Sequence, residues 1–332
     1  MKPLGVGVVG LGFMGRTHVA AYAAAQAAGH PCNLVMVCDP KPQGLGGELT
    51  GGGNFATASG RLFDPAQVRG TTRPDELFAD PAVQIVSICT PTDTHVALAA
   101  AALRAGKHVL VEKPVALDAD AIRALARTAA ASDRLCMPAM CMRYWPGWDW
   151  LREQIRNQTF GKVRSATFTR IGAMPGWGGR FYADESKSGG AIFDLHIHDT
   201  DFVSWCFGRP AAVRTCGEPR HFTTAYEFPQ GPAHVTAEGA WDLAPAAGFR
   251  MRYLVVCDLA TLEFELGRTP QLLVHGERRS EAVPLSALLG YDFEIRDFVQ
   301  AVATGRHEVR ATLDDAARVT EILAAERASL LA

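Results

Sequence analysis

Two halves of different class are predicted for this chain. Residues 1–136 read as an α/β domain with a doubly wound parallel sheet, and residues 137–332 as an α+β domain with a large, mainly antiparallel sheet. Three observations carry that division. In the first part nearly continuous apolar strands alternate with helical stretches, the pattern of a parallel sheet buried on both faces. From about Cys136 the alternation gives way to consecutive strands with short connections, which pair antiparallel. The chain has 332 residues, enough for two domains with a core each.

The first strand, Leu4–Val9, runs straight into glycines and then into an alanine-rich helix. Gly10, Gly12 and Gly15 stand at the G-x-G-x-x-G spacing, with Phe13 and Met14 between the last two. That spacing gives a tight turn, a backbone that a pyrophosphate can approach, and close helix–strand packing. The helix N-terminus then offers N–H groups to phosphates. The second strand, Leu34–Cys38, ends on Asp39. An acid there accepts hydrogen bonds from an adenosine ribose 2′-OH and repels a 2′-phosphate. A Rossmann dinucleotide site follows, with NAD as the expected cofactor; NADP stays possible because Lys41 offsets part of the repulsion. The glycine-rich segment 40–60 reads as an irregular insertion.

Further strands are expected at Gln84–Thr90 and His108–Glu112, with helices at Thr94–Ala105, stopped by Gly106, and at Asp118–Ala131. Lys113 follows the fourth of these strands. Ligands of open α/β sheets bind beyond the carboxyl ends of the strands, which places Lys113 within reach of a nicotinamide; a surface lysine before a turn proline fits equally. In the second half, after the Trp145–Ile155 region, strands are expected at Val163–Ile171, Ala211–Gly217, Ala233–Leu243, Phe249–Asp258, Ala260–Leu266 and Gln271–His275. Helices at Tyr291–Thr304 and Leu313–Leu330 close the chain.

One stretch of the second half combines several reactive side chains, Ser188 through Asp201. Read as one helix opening after Gly189 and Gly190, it sets Asp194, His198 and Asp201 at i, i+4 and i+7 on one face. A carboxylate one turn from an imidazole orients it and raises its basicity. His196 and His198 spell H-x-H, but side chains two apart on a helix diverge, so no metal site is expected. An exposed polar helix face is the alternative.

Net charge is −2 and no basic run stands out, which argues against nucleic acid as a partner. The eight cysteines are scattered, without a C-x-x-C pair, as in reduced cytoplasmic proteins. No apolar run is long enough to span a bilayer, so neither a membrane partner nor a secretory leader is expected.

Taken together, Gly10-Leu11-Gly12-Phe13-Met14-Gly15, Thr90-Pro91 followed by His95, Glu112-Lys113-Pro114, and Gly189-Gly190 leading to Asp194 and His198 resemble the glucose–fructose oxidoreductase/inositol dehydrogenase (Gfo/Idh/MocA) family over nearly the whole chain. The resemblance implies a Rossmann domain followed by a domain with an open-faced sheet, often an oligomer interface, hence a homodimer or homotetramer. It implies that Thr90, Pro91, His95, Glu112 and Lys113 join the glycine loop and Asp39 at the cofactor, and that Lys113, Asp194 and His198 are catalytic. It places Tyr144, Trp145, Trp148 and Trp177 in segments by the site, with Arg143 and Arg180 as hydroxyl partners; packing is the alternative for the aromatics. The Lys113–Pro114 bond is expected to be cis. His196 departs from many relatives, which carry a small residue there. The implied activity is oxidation of a secondary alcohol on a small sugar or cyclitol; a redox-neutral NAD-dependent glycosidase, a keto-sugar reductase and a catalytically silent nucleotide sensor remain open at this point.

Overall fold

The computed structural model describes residues 3–48, 61–176 and 181–331. In chain order it contains β1 Leu4–Val9, α1 Phe13–Ala27, β2 Cys32–Cys38, β3 Arg69–Thr71, α2 Pro74–Ala79, β4 Ile85–Ile88, α3 Thr92–Arg104, β5 His108–Glu112, α4 Ala119–Ser132 and β6 Cys136–Ala139. Then come α5 Trp148–Asn157, β7 Val163–Ile171, α6 Glu185–Ser188, α7 Gly190–Asp194, α8 Ile197–Phe207, β8 Ala212–Glu218, β9 His221–Glu227, β10 His234–Ala240, β11 Arg250–Cys257, β12 Thr261–Glu265, β13 Leu272–His275, β14 Ser280–Ala282, α9 Gly290–Thr304 and α10 Leu313–Leu330. Two compact units emerge. The first holds the chain through Cys141 and also Gly290–Ala317; the second holds Met142–Gly176, Tyr182–Leu289 and the chain from Arg318. The segment Gly290–Ala317, read from sequence as part of the second half, thus packs with the first, because α9 buries Ile295, Phe298 and Val299 and lies against α1.

Among the described residues the first unit's sheet runs β3-β2-β1-β4-β5-β6, all parallel. That is the doubly wound dinucleotide-binding order, with its switch point beside β1. Val6, Val8, Val37, Ile85, Val86, Val109 and Val111 have no exposed surface, as strands covered on both faces require. The second sheet runs β14-β13-β12-β11-β7-β10-β9-β8. Every neighbour pair is antiparallel except β7 with β10. Strand β9 lies between β8 and β10 and has no counterpart among the expected strands; its sequence, His-Phe-Thr-Thr-Ala-Tyr-Glu, breaks the apolar–polar alternation at Thr224 and Ala225, although its inward residues Phe222, Thr224 and Tyr226 are buried.

The second sheet buries one face. Phe168, Tyr253 and Phe264 turn inward and surround the fully buried Trp148 together with Phe202 of α8, at ring separations of 4.8 to 6.3 Å. Burying such rings contributes about 2–3 kcal/mol each. Trp148 is therefore a core residue, and Tyr144 and Trp145 are buried as well. The outward residues of β11 are Arg250, Arg252, Leu254 and Val256, and Leu254 is 45% exposed.

Candidate active site

In the first unit, the turn after β1 is shaped by what its glycines avoid. Gly10 has φ +89°, and a Cβ on it would lie 2.6 Å from the Cys89 carbonyl oxygen. A Cβ on Gly15 would lie 1.7 Å from the Gly10 carbonyl oxygen, so α1 can close on β1 only with glycine there. Gly12, the N-cap of α1, is exposed, and a Cβ on it would meet nothing within 4 Å. The open side of Gly12 is where a phosphate can reach the backbone. The first turn of α1, which includes half-buried Phe13 and Met14, carries no acidic residue to oppose an anion. Asp39 follows β2 and accepts from the Leu11 N–H at 2.7 Å and the Lys41 N–H at 2.9 Å. It thereby ties the loop after β2 to the glycine turn. These residues fit a dinucleotide.

At the end of β5, Lys113 is half-buried, and its peptide bond to Pro114 is cis, as expected. Two buried histidines hold this strand end. His18 of α1 donates from Nε2 to Glu112 Oε1 at 3.0 Å, and Glu112 Oε2 accepts the Lys113 N–H at 3.1 Å. Burial alone would raise the Glu112 carboxyl; the His18 hydrogen bond and nearby cationic groups overcome it and hold the group below its usual range. His95 of α3 sets Nδ1 at 2.8 Å from the Pro114 carbonyl and Nε2 at 2.7 Å from the Thr90 carbonyl. Burial pushes this imidazole down, against both of those hydrogen bonds. Glu112 and His95, expected at the cofactor, are thus hydrogen-bonded around the Lys113–Pro114 turn. Thr90 is half-buried, its hydroxyl 2.6 Å from that of Thr94, and Pro91 is exposed as the N-cap of α3.

In the second unit, the stretch after Gly189 is not one helix. The His196 N–H reaches back five residues to the Ala191 carbonyl at 2.9 Å, and the His196 carbonyl accepts from Asp199 and Thr200 at 2.9 and 3.0 Å. A wide turn at 195–196 therefore separates α7 from α8. From Ser188 to Ser204 every residue is buried except Asp194 and His198, both half-buried. Asp201, expected on their face, is 1% exposed and paired with Arg143. Arg143 donates from Nε to Asp201 Oδ2 at 3.0 Å and from Nη2 to Oδ1 at 2.7 Å. This corrects the assignment of Arg143 as a substrate ligand: the residue is 2% exposed and its guanidinium pairs with a buried carboxylate. Asp199 is held likewise by Arg170 of β7, Nε to Oδ2 at 2.7 Å, and Arg170 lies 5.3 Å over the Trp148 ring. His196 turns inward, against Phe222, Tyr226 and Glu326. It therefore shapes the core and not a ligand pocket. Trp177 and Arg180 lie outside the described residues. Sequence reasoning missed His18, Arg170 and Glu326; the acid and base of each pair are far apart in the chain, and nothing local marks them.

Among the described residues no group of three or more His, Cys, Asp or Glu could hold a metal ion, and no helix is long and apolar enough to cross a membrane. Among the described residues none of the eight cysteines forms a disulfide.

Residues 4–140 match the model of the Gfo/Idh/MocA oxidoreductase family, NAD-binding Rossmann fold, and residues 148–280 match a Gfo/Idh/MocA C-terminal domain. The chain is 29% identical over 315 residues to UDP-N-acetylglucosamine 3-dehydrogenase of Acidithiobacillus ferrooxidans, covering 90% of this chain and 89% of that protein. It is 34% identical over 142 residues to inositol 2-dehydrogenase of Rhizobium meliloti, covering 42% of this chain and 41% of that one. Against several other curated relatives the aligned stretch likewise spans only 37% to 56% of their length. In fold it is similar to levoglucosan dehydrogenase in complex with NADH and levoglucosan, with a TM-score of 0.81 at 21% identity over 99% of this chain and 98% of that one. With both halves matched to one family and the fold shared from end to end, the chain belongs to the Gfo/Idh/MocA family of NAD-binding oxidoreductases.

Proposed function

We propose that the protein oxidises a secondary alcohol of a sugar, a cyclitol or a close derivative, using NAD. The observation that carries this reading is the pairing of access with chemistry between Ser188 and Ser204. There a carboxylate and an imidazole, Asp194 and His198, are the two side chains that are not buried. The named relatives that act on N-acetylglucosamine nucleotides and inositol support the substrate class. The nicotinamide cofactor, when bound, accepts the hydride. His198 takes the proton of the substrate hydroxyl, Asp194 binds a neighbouring hydroxyl and orients the imidazole, and Lys113 hydrogen-bonds the reacting oxygen and favours its anionic form. A positioned base is worth about a hundred- to ten-thousand-fold in rate.

A screen of sugars, cyclitols and their nucleotide derivatives for formation of reduced nicotinamide tests the reading. Net NADH that accumulates with product supports the dehydrogenase. Glycoside cleavage without net NADH would overturn it in favour of redox-neutral chemistry. His198→Asn should lower turnover at least about a hundredfold and leave NADH binding intact, because the glycine loop and Asp39 belong to the other unit. His196→Asn should cost less. Equal losses in the two variants would refute the assignment of His198 as base.

We further propose assembly through the outer face of the second sheet, where Leu254 and Val256 stand among arginines. Light scattering should give a dimer or tetramer at micromolar concentration; a monomer would refute it.

A further inference from the structure

The joint between α7 and α8 rests on a buried polar cluster that the reaction itself does not use. His196 and Glu326 have no exposed surface, and Thr200 is 1% exposed. Glu326 Oε2 lies 3.2 Å from His196 Nε2, and Oε1 accepts the Thr200 hydroxyl at 2.9 Å. The Thr224 hydroxyl adds a third donor at 3.4 Å, and Tyr226 Oη lies 3.1 Å from both His196 Nε2 and Thr200 Oγ1. The other ring nitrogen of His196 is buried without a hydrogen-bond partner, so the ring is oriented through Nε2 alone. Gly239 makes room for it: a Cβ there would stand 3.0 Å from His196 Nδ1. Phe222 packs edge-on against the ring at 4.9 Å.

His196 is also the residue at which the backbone changes course. Its N–H closes α7 on Ala191, and its carbonyl opens α8 toward Asp199 and Thr200. Asp194 sits on one side of this joint and His198 on the other. Their mutual geometry is not set by one continuous helix, and any displacement of His196 turns one against the other.

We propose that Glu326, on the C-terminal helix, is a positioning residue for His198: through His196 and Thr200 its carboxylate fixes the turn that sets His198 against Asp194. This rests on the reading of His198 as general base. A misplacement of about 1 Å at a reacting group can cost about a hundredfold in rate, so the joint needs an anchor stiffer than apolar packing.

The test uses Glu326→Gln, which keeps the shape and removes the charge, and Thr200→Val, which removes one hydroxyl. The imidazole resonances of His198 are followed in nitrogen-15 NMR spectra and assigned by their loss in His198→Asn. Steady-state kinetics use the best substrate of the screen, and NADH binding is followed by fluorescence. The His198 resonances are expected to move in both variants. The kcat should fall about ten- to a hundredfold, with KM and NADH affinity within about twofold of wild type. Folded variants with unchanged His198 resonances and unchanged kcat would overturn the positioning role. If Glu326→Gln does not fold, Thr200→Val decides by the same criteria. Wild-type turnover in His198→Asn would instead sink the functional reading itself, whatever the Glu326 variant does to the spectrum.

Discussion

His108 begins the strand whose far end carries Lys113, and it makes the first unit sensitive to acid. The Leu135 N–H donates to His108 Nδ1 at 3.1 Å, a bond that requires an unprotonated nitrogen. Burial, then the charges of Arg134 and His307, push this imidazole from its ordinary 6.5 down to about 4. The folded state thus prefers the neutral ring. Its contribution is complete above the unfolded value near 6.5, is lost as pH falls through the interval, and is gone below about 4. At about 1.4 kcal/mol per unit, the interval would amount to about 3 kcal/mol for a fully buried group. His108 is only half-buried, and solvent screens the two cations, so about 1–2 kcal/mol is expected. His108→Gln keeps an acceptor for the Leu135 N–H and removes the titration. Urea unfolding of both proteins at pH 7, 6, 5 and 4 isolates the group. The stability of wild type relative to the variant should shrink by about 1–2 kcal/mol between pH 7 and 4. A difference that stays constant over that range would refute the reasoning.

Two other substitutions address the site. Asp39→Ala should move the ratio of kcat/KM for NAD to that for NADP by about tenfold toward NADP, the order of one screened carboxylate–phosphate repulsion near a surface; an unchanged ratio in cofactor kinetics would count against Asp39 as the discriminating group. Arg143→Met should destabilise by about 3–5 kcal/mol, because Asp201 is left charged and buried, and calorimetry should show the loss while KM of the folded fraction holds; a variant of normal stability with a raised KM would return Arg143 to the substrate.

What could be read in the sequence follows what is local. The bounds of β1, β5, β7 and α10 coincide with those expected from the sequence. The glycine turn was legible because its requirement is on the backbone, one residue at a time. Strand β3 has three residues, too few for periodicity to register. The break at 195–196 was invisible, since neither proline nor glycine marks it and Leu195 and His196 keep right-handed helical dihedrals. Pairing was invisible too. Arg143 and Asp201 are 58 positions apart, and Thr200 and Glu326 are 126 apart. A sequence displays charges and hydroxyls, but only the fold says which will face each other. Arg143 was therefore free, on paper, to bind a sugar.

Those buried pairs also explain why α8 carries polar residues where a core helix would be expected to carry leucine. Asp199, Thr200 and Asp201 are all buried, and an unpartnered buried polar group costs several kcal/mol. Each has a partner from a different part of the unit: Arg170 from β7, Glu326 from α10 and Arg143 from the turn before α5. An apolar helix face tolerates small slides, because one methyl group replaces another at little cost. A face bonded to three separate elements does not, since any slide strands several charged or hydroxyl groups at once. Buried pairs of this kind contribute little net stability over apolar packing but define register. Register is what this helix must keep, because His198, immediately before Asp199, is the one residue of the run from Leu195 to Ser204 that is not buried.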